Sequence, residues 1–427
     1  MAHILIVGHG LNGLTAALQL NKLIGQDDWI TVISQERYGV VNSALPYVSV
    51  GLRPIEEARI KLAPLFDQLN INHIEGTVEA LFPERQVVVL KTGQRVPFDY
   101  LVIADGMAPA FDHISGLARS LNMVHFLVSE NEVMRAELAF QDFLNSPGPM
   151  TVALAPGSSE YQNAYQYVFN VDRLLRRARL RAKVPICFVT PEPYLGHFGV
   201  GGIGNSNVLF ESAFRARQIQ WVCNAAIDRV EPSAFHVVAF DDEGVPSGRK
   251  MLETRYGMLW PALRTERFLV DVEGLVDRGG LIPTNKFLQS VTYPHIFALG
   301  EIVSKQMPAS TPMETPQPCS DFLRESMTSS VMGNVAEVIR QRYPLYEPTG
   351  NGFFMIDFGG KGAAFLAVPQ RPPRNIDRIY QGRFVAVVKQ AMERYHLRKL
   401  RAGVTEPLFE RLIFRLLKVS RIKQRAA

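Results

Sequence analysis

Residues 3–23 read HILIVGHGLNGLTAALQLNKL, and this stretch decides the fold. Its apolar opening has the character of a buried parallel strand, and an apolar helix is predicted from Thr15. Between them stand three glycines at GxGxxG spacing, Gly8, Gly10 and Gly13. Such glycines permit a tight turn and a close approach of backbone to a pyrophosphate, while the helix N-terminus favours the phosphates. The stretch therefore predicts a dinucleotide-binding α/β unit.

A second buried strand, Ile30 to Ile33, ends at Ser34. In a dinucleotide fold, an acidic side chain at the end of this strand usually binds the ribose hydroxyls. The candidates here are Ser34 and Glu36, and this pair favours neither NAD nor NADP. We therefore predict an adenosine site at this strand end without naming its cofactor from these residues.

Two later strands end in glycine. The strand from Tyr100 to Ala104 closes in Ala-Asp-Gly at Gly106, an ending typical of flavoproteins with two dinucleotide-binding domains. The strand from Ile296 to Leu299 is followed by Gly300 and Glu301. In that architecture the acidic residue of such a pair commonly reaches the flavin ribityl chain, although a solvated loop carboxylate is the alternative for Glu301.

A second α/β unit opens with the strand Thr151 to Ala155. It runs into a turn that reads PGSSEY, and a helix begins after Glu160. A pyridine-nucleotide reductase would carry a second GxGxxG at this turn. Because this chain has none there, nicotinamide binding is disfavoured. The segment RYGMLWPAL is expected to return the chain to the first domain.

The composition of the 427 residues, 47% of them hydrophobic, is that of an ordinary globular protein with two or three domains. No run of about eighteen apolar residues occurs and the N-terminus has no signal-peptide pattern, so we expect a cytoplasmic start and no transmembrane helix. The three cysteines, Cys187, Cys223 and Cys319, lack zinc-ligand spacing and are expected to be buried, reduced thiols. No metal site is predicted.

The basic residues concentrate at the end of the chain. From Arg371 to Ala427 there are 15 Lys or Arg and 4 Asp or Glu, although the whole chain carries only +5. Two stretches there, GRFVAVVKQAMERYHLRKL and TEPLFERLIFRLLKVSRIK, place apolar residues at helical spacing: Val385, Val388, Met392 and Tyr395, then Leu408, Leu412, Leu416 and Val419. Basic amphipathic helices suit an anionic membrane surface. Helices on a globular core fit the pattern equally, and no nucleic-acid-binding motif is present.

Seven stretches spread along the chain share the pattern of one protein family: VGHGLNG, LVIADG, TPEPYLGHFGVGGIG, YGMLWPA, FLRESM, DFGGKGAAFLAVPQRPPRN and KQAMERYHLRKLRAGVTEPLFERLIFRLL. They resemble the sulfide:quinone oxidoreductase family of membrane-associated flavoproteins. The resemblance implies an α/β protein with two tandem Rossmann-like domains of the disulfide-reductase type, one FAD, and C-terminal amphipathic helices that guide quinone to the flavin. It assigns residues 1–110 and 285–345 to the FAD-binding domain, 111–284 to the second domain and 346–427 to the membrane and quinone region.

The resemblance also implies roles for single residues. The FAD-binding set would be Gly8, Gly10, Gly13, Ser34, Gly106, Gly300 and Glu301. Lys389 would lie near the quinone head, where a buried cation can stabilise a reduced quinone oxygen. The alternative for Lys389 is a side chain that snorkels to lipid headgroups. The expected partners are quinone, the membrane surface on its cytoplasmic face and, in addition, a protein complex or a second copy of the chain.

The departures from the family concern sulfur chemistry. Family members oxidise sulfide with two redox cysteines beside the flavin, and some use a third. Here Glu160, Phe354 and Ser129 stand at those three positions, and the family's PKTG turn reads PCSD, with Cys319 and Asp321. Dithiol chemistry needs a disulfide that HS⁻ can attack and a thiolate that adds to the flavin, and neither Glu nor Phe supplies sulfur exchange. We therefore predict that sulfide oxidation by this route is lost.

Three side chains remain as catalytic candidates besides Lys389. Glu160, at a helix N-terminus, is either a proton acceptor or a structural carboxylate. His197, in the EPYLGH stretch, either relays protons or holds its loop. Cys319, at the start of a helix predicted from Asp321 to Tyr343, feels the helix dipole and would act as a single thiol. The function is then a quinone oxidoreductase with a different electron donor, or a non-catalytic or electron-relaying FAD-binding subunit of a membrane complex.

Overall fold

Two parallel five-stranded sheets carry the fold in the computed structural model, which describes residues 1–8, 10–104, 106–112, 114–304, 311–405 and 420–424. The described α-helices are α1 (Gly10–Leu20), α2 (Leu45–Val48), α3 (Leu62–Gln68), α4 (Glu130–Asn145), α5 (Tyr161–Arg177), α6 (Ser206–Ala216), α7 (Arg267–Val270), α8 (Asp321–Ile339) and α9 (Arg383–Arg401). The described strands are β1 (His3–Val7), β2 (Trp29–Ser34), β3 (Tyr38–Val40), β4 (Arg59–Lys61), β5 (Asn72–Glu75), β6 (Val78–Phe82), β7 (Val87–Leu90), β8 (Arg95–Pro97), β9 (Tyr100–Ile103), β10 (Met107–Ala110), β11 (Val124–His125), β12 (Met150–Leu154), β13 (Ile186–Val189), β14 (Ile219–Val222), β15 (Ala225–Glu231), β16 (Ala234–Phe240), β17 (Pro246–Glu253), β18 (Tyr256–Trp260), β19 (Ala262–Thr265), β20 (Ile296–Ala298), β21 (Tyr346–Pro348), β22 (Gly352–Asp357), β23 (Gly362–Val368), β24 (Ile376–Gly382) and β25 (Ile422–Gln424).

The first sheet has the strand order β20, β9, β1, β2, β5, and all its strands run parallel. The predicted opening strand is β1, which is buried along its whole length. Helix α1 begins at Gly10, earlier than the predicted Thr15, because two of the three glycines belong to its first turns. The apolar run therefore places the GxGxxG turn at the carboxyl edge of the sheet, where ligands of such folds bind.

The second sheet has the order β11, β18, β12, β13, β14 and is also parallel. Apolar cores lie on both of its faces. Most of the segment RYGMLWPAL does not return the chain to the first domain, because its residues Tyr256–Trp260 pair inside this second sheet. The return begins with β19, which pairs antiparallel with β10. The expectation was wrong because an all-apolar strand suits either sheet equally.

The C-terminal segment packs on both halves of the molecule. Strands β22, β23 and β24 form an antiparallel sheet whose aromatic side chains join the core of the second sheet. Helix α9, which the sequence predicts, contributes Leu397 and Leu400 to the core of the first sheet. The second predicted amphipathic helix falls on residues 406–419, outside the described residues, and Ile422–Gln424 pairs with β21. Across the described ranges, no helix combines the length and hydropathy that crossing a bilayer requires.

Candidate active site

The GxGxxG turn forms a cradle that only glycine fits. A Cβ atom on Gly13 would lie 2.5 Å from the carbonyl oxygen of Gly8, and one on Gly106 would lie 2.7 Å from a methyl group of Leu269. The Gly8 amide donates to the carbonyl of Ile33 at 3.1 Å, which fixes the turn against β2. Gly8, Ser34 and Gly106 line one small cavity at the carboxyl edge of the first sheet. The structure thus brings three of the predicted cofactor-binding residues together.

The side chain of Ser34 is already engaged inside the protein. Its hydroxyl donates to the carbonyl of Glu36 at 3.0 Å and lies 2.8 Å from Nε2 of His73. Burial lowers the pKa of His73, so the ring is neutral near pH 7 and its Nε2–H can donate to the hydroxyl. The carboxylate of Glu36 is exposed. Neither Ser34 nor Glu36 therefore offers a buried, unoccupied acceptor for the ribose hydroxyls, the role that an acidic residue usually has at this position.

A second cavity, of about 170 Å³, meets the first at Gly106. Its polar wall comes from five places in the chain: Asn12 of α1, Asn42 between β3 and α2, Glu301 after β20, Glu160 and Asn163 at the start of α5, and Arg324 of α8. Its opposite wall is apolar and includes Trp260 and Leu299. Gly300 precedes Glu301 with a φ of +88°, a conformation that favours glycine. Glu160 and Glu301, separated by most of the second domain in sequence, therefore face one cavity.

Glu160 stands at the N-cap of α5, half-buried, and its carboxyl group accepts a hydrogen bond from the side-chain Nδ2 of Asn163. Burial raises the pKa of Glu160 to about 7, and the negative charge of Glu301 adds to this effect. The positive charge of Arg324 and the Asn163 hydrogen bond oppose it. This carboxyl group can therefore gain or lose a proton near neutral pH.

Arg324 is a member of the cavity that sequence reasoning missed. Its Nη1 donates to Asp321 at 2.9 Å, while its Nε is buried and finds no hydrogen-bond partner among the described residues. Burial lowers the pKa of Arg324, but the negative charges of its neighbours outweigh burial and raise it. Only the FLRESM stretch could have drawn attention to it. The guanidinium is thus the fixed positive charge of a cavity that holds two carboxyl groups.

Cys319 is buried, 7% exposed, and belongs to the core of the first sheet. It precedes Ser320, whose hydroxyl caps α8 by accepting from the amide of Leu323. The helix ends at Ile339, before the predicted Tyr343, and Gln341 has a positive φ of 59°. Cys319 is not among the residues that line the second cavity. All three cysteines of the chain are free.

Comparisons with known proteins decide the family. The chain is 30% identical to the sulfide-quinone reductase of Aquifex aeolicus over 416 residues, which are 97% of this chain and 94% of that protein. The X-ray structure of the Aquifex aeolicus sulfide:quinone oxidoreductase, at 29% identity, matches 100% of this chain and 98% of its own with a TM-score of 0.93. The chain belongs to the sulfide:quinone oxidoreductase family.

More distant proteins agree on the fold. The mitochondrial sulfide:quinone oxidoreductase of Schizosaccharomyces pombe is 23% identical over 70% of this chain and 68% of its own length. NDH2 of Plasmodium falciparum, 12% identical, has a TM-score of 0.71 over 99% of this chain and 100% of its own. No model of a protein family matches the sequence. The predicted family, the two-sheet α/β fold and the oxidoreductase class are thereby confirmed.

His197 lies in the EPYLGH loop, one of the stretches on which the sequence resemblance rests, but does not line the second cavity. The residue is 8% exposed, and its Nδ1 accepts from the amide of Gly199 at 3.1 Å. Burial lowers the pKa of His197 to about 4, so the ring is neutral at physiological pH. These contacts are those of a residue that holds its loop.

Glu192, in the same loop, is a second residue that sequence reasoning missed. It is fully buried and accepts from the hydroxyls of Tyr165 at 2.7 Å and Thr190 at 2.9 Å, and from the amide of Phe198 at 2.8 Å. Burial raises the pKa of Glu192 to about 7. Its three donors tie the family loop to α5 and β13. It is the E of EPYLGH, so the motif itself was the available signal.

Two of the positions that the resemblance assigns to cysteines in other sulfide:quinone oxidoreductases hold structural side chains here. Phe354 is 5% exposed, stacks on Phe365 with ring centroids 4.9 Å apart and meets Phe198 edge-on at 5.2 Å. Ser129 caps α4, since its hydroxyl accepts from the amide of Glu132 at 3.3 Å. Aromatic packing and helix capping give these side chains roles that need no thiol.

Lys389 is buried, 5% exposed, in a cluster of charged groups beneath α9. Its Nζ contacts Glu393, which also binds Nη1 of Arg53 at 2.9 Å. Both cations lie over the ring of Tyr47, Arg53 at 4.8 Å and Lys389 at 5.3 Å from its centroid. The Tyr47 hydroxyl donates to Asp357 at 3.0 Å. The side chain of Lys389 therefore lies inside the protein and does not extend outward.

One stripe of apolar residues on α9 faces outward. Phe384, Val387, Val388 and Met392 are between 42% and 68% exposed, whereas Val385 is buried. Among the described residues, no group of three His, Cys, Asp or Glu side chains could hold a metal ion. Helix α9 thus buries Lys389 and Glu393 together with Leu397 and Leu400, and it exposes an apolar stripe.

Proposed function

We propose that the protein is an FAD-dependent quinone oxidoreductase that works at a membrane surface and takes electrons from a donor other than sulfide. The observation that carries this proposal is the pair of cavities that meet at Gly106, one beside the glycine cradle and one lined by Glu160, Glu301 and Arg324. The missing room for a Cβ at Gly13, 2.5 Å from the Gly8 carbonyl oxygen, fits the close helix-to-strand packing that the third glycine of a dinucleotide-binding turn allows. Bound FAD would supply two-electron transfer between donor and quinone.

The cofactor assignment has a direct test. A Gly13→Ala variant should lose FAD, because its methyl group would collide with the Gly8 carbonyl and push the turn away from the phosphates. Gly248→Ala is the matched control, since its Cβ would meet no atom within 4 Å. The measurement is the visible absorption of each purified protein. Equal flavin content in both variants would contradict the assignment.

The residues around the proposed flavin site support the loss of dithiol sulfide oxidation. No cysteine lines the cavity that would hold the flavin ring, and the three free thiols lie elsewhere.

NADH is also a poor donor for this chain. The turn after β12 has Gly157 with a carboxylate oxygen of Glu314 3.4 Å from its Cβ position, which repels a pyrophosphate. The donor is therefore of another class.

The quinone side is proposed at α9. Lys389 is a buried cation on the helix that matches the quinone-proximal helix of the family, and it can stabilise negative charge on a reduced quinone oxygen. Lys389→Met should slow reoxidation of the reduced flavin by a short-chain quinone. Lys399→Met is the control, since it removes another buried lysine of α9, one paired with Glu325. Equal slowing in both variants would exclude a specific role for Lys389.

A membrane of anionic lipid is the partner proposed for the exposed stripe of α9. The apolar side chains stand beside Arg383, Arg394 and Arg398, which are exposed and suit acidic headgroups. Val387→Glu should weaken cosedimentation with phosphatidylglycerol vesicles. Met251→Glu, at a site 64% exposed against 68% for Val387, should leave it unchanged. Parallel loss in both variants would argue against α9 as the contact.

One optical experiment separates this function from a scaffold or relay subunit. The flavin spectrum should resist sulfide and NADH, bleach with dithionite and return when a soluble quinone is added. Bleaching by sulfide would overturn the proposed loss of that chemistry. Bound flavin that dithionite reduces but quinone fails to reoxidise would favour an electron-relaying subunit, and absence of flavin would favour a scaffold.

A further inference from the structure

The donor side of the second cavity carries two carboxyl groups and one guanidinium. Glu160 and Glu301 belong to different elements, α5 and the segment after β20, and both line the cavity. One oxygen of each is held by a neighbour: Asn163 donates to Oε2 of Glu160, and Ser159 donates to Oε1 of Glu301 at 2.6 Å. The second oxygen of each carboxyl group has no hydrogen-bond partner among the described residues, so that of Glu160 can exchange a proton with a bound molecule.

The charges around the two glutamates do not balance. Arg324 is the cation in the polar wall, and its Nη1 is committed to Asp321, which is 69% exposed. Two ionised carboxylates in a partly apolar cavity repel each other, so a single proton held between them relieves the repulsion. Burial and the charge of Glu301 raise the pKa of Glu160, and Asp321 acts in the same direction. The groups that oppose this shift are Arg324 and Asn163.

We propose that Glu160, with Glu301 lining the same cavity, is ionised before the donor reacts and takes up the second proton of a donor that loses two electrons and two protons. This inference rests on the proposed function of the same site. Bound FAD would take the donor's two electrons and one proton, and the other proton would go to a carboxylate oxygen of Glu160. Quinone needs two electrons and two protons to form quinol, and Glu160 would return one of these protons while the bound cofactor would supply the rest. All electrons and protons are then accounted for.

The donor class follows from this step. A one-electron carrier protein delivers no protons, and sulfide oxidation through a disulfide needs thiols rather than carboxylates. The pair suits a small two-hydrogen donor whose oxidation releases a proton beside the flavin. Arg324, with its buried Nε, can keep one of the two glutamates ionised while the other binds the proton.

The test is the midpoint potential of the bound flavin as a function of pH, measured on the intact FAD-loaded protein. Each proton taken up with the two electrons changes the equilibrium tenfold per pH unit, about 30 mV. The wild type should show two protons per two electrons around the pKa of Glu160, about 7. Glu160→Gln and Glu301→Gln should each show one. Glu211→Gln, a carboxyl group paired with Arg215 on the surface of α6, should match the wild type.

Reduced-minus-oxidised infrared spectra give a second readout. A protonated-carboxyl band should appear on reduction of the wild type and disappear in Glu160→Gln. An unchanged pH slope in both glutamine variants, or a one-proton slope in the wild type, would overturn the inference. If the slope depends on Glu160 but quinone fails to reoxidise the flavin, the inference stands and the proposed function falls. If quinone reoxidises the flavin with no such dependence, the function stands and the inference falls.

Discussion

Two groups of buried charges in this molecule differ in their balance. Beneath α9, the cations Arg53 and Lys389 face the carboxylates Asp357 and Glu393, and each of these side chains has a hydrogen bond or ion pair. In the second cavity, two glutamates face one arginine whose Nη1 is committed to a third carboxylate. A balanced group keeps its ionised form when buried, whereas an unbalanced one shifts its proton affinity. The first group, which includes Lys389, therefore keeps its charges when buried, and the second is poised to exchange a proton.

The location of each group supports this division. The balanced group joins α2, β22 and α9, three elements far apart in the sequence, around the ring of Tyr47. Burial raises the pKa of Tyr47, so the ring stays neutral and serves as a surface for both cations. The unbalanced group lines a cavity that a ligand can enter. Charge balance thus separates a group that keeps its protons from a group that can exchange one.

The largest expected effect comes from unbalancing the group beneath α9. Glu393→Gln leaves Arg53 and Lys389 buried without their shared partner and should cost about 3–5 kcal/mol of unfolding free energy. Urea unfolding followed by circular dichroism measures it. Glu211→Gln makes the same change in a surface i,i+4 pair and should cost less than about 0.5 kcal/mol. Equal costs would remove the distinction between the two groups.

A smaller change in unfolding free energy, of opposite sign, is expected when Glu160 of the second cavity is replaced by glutamine. The native protein holds the Glu160 proton more tightly than the unfolded chain, since the pKa of Glu160 rises from 4.5 to about 7 on folding. Wild-type stability therefore falls as pH rises through this window, whereas Glu160→Gln has no proton to lose. The variant should become more stable than the wild type by at most about 3 kcal/mol above the window, and equal below it.

Urea unfolding at a series of pH values measures this difference. Glu192 has a similarly raised pKa, but it is present in both proteins and cancels from the comparison. A Glu160→Gln variant that is less stable than the wild type at high pH would mean that Glu160 is a structural carboxylate, the alternative that the sequence left open. A constant difference across the pH range would mean that Glu160 does not change its protonation there.

Sequence reasoning predicted those features of the fold that short stretches of sequence determine. The turn of Gly8 and Gly13 follows from the order of strand, glycines and helix, and the structure places it at the carboxyl edge of the first sheet. The span of α9 follows from its periodicity. Which side of α9 faces inward does not, because the stripe containing Val385 also contains Val388, and the first is buried while the second is 42% exposed.

The membership of the cavity was harder to predict for a physical reason. Glu160 could be named because the resemblance placed a cysteine there, but Arg324 meets Glu160 only through packing of α8 beside the start of α5. No local pattern reports such a long-range contact. Lys389 was assigned as a lone cation although its ion-pair partner Glu393 is four residues away on the same helix, whereas the second cation bound to Glu393, Arg53, lies more than 300 residues earlier in the chain.

The smallest expected effect concerns the rim of the cavity. Asp321 is 69% exposed, so solvent screens its charge, yet it pairs with Arg324 and helps to raise the pKa of Glu160. Asp321→Asn should lower the pKa of Glu160 both by removing that charge and by freeing Arg324 to approach the carboxyl group. Exposed pairs contribute about 0.2–1 kcal/mol, so the shift should stay below about 0.7 pH unit. Infrared titration of the carboxyl band measures it against Glu301→Gln, for which the larger fall is expected because Glu301 faces Glu160 inside the cavity. A larger shift from Asp321→Asn would place the controlling charge at the rim rather than in the glutamate pair.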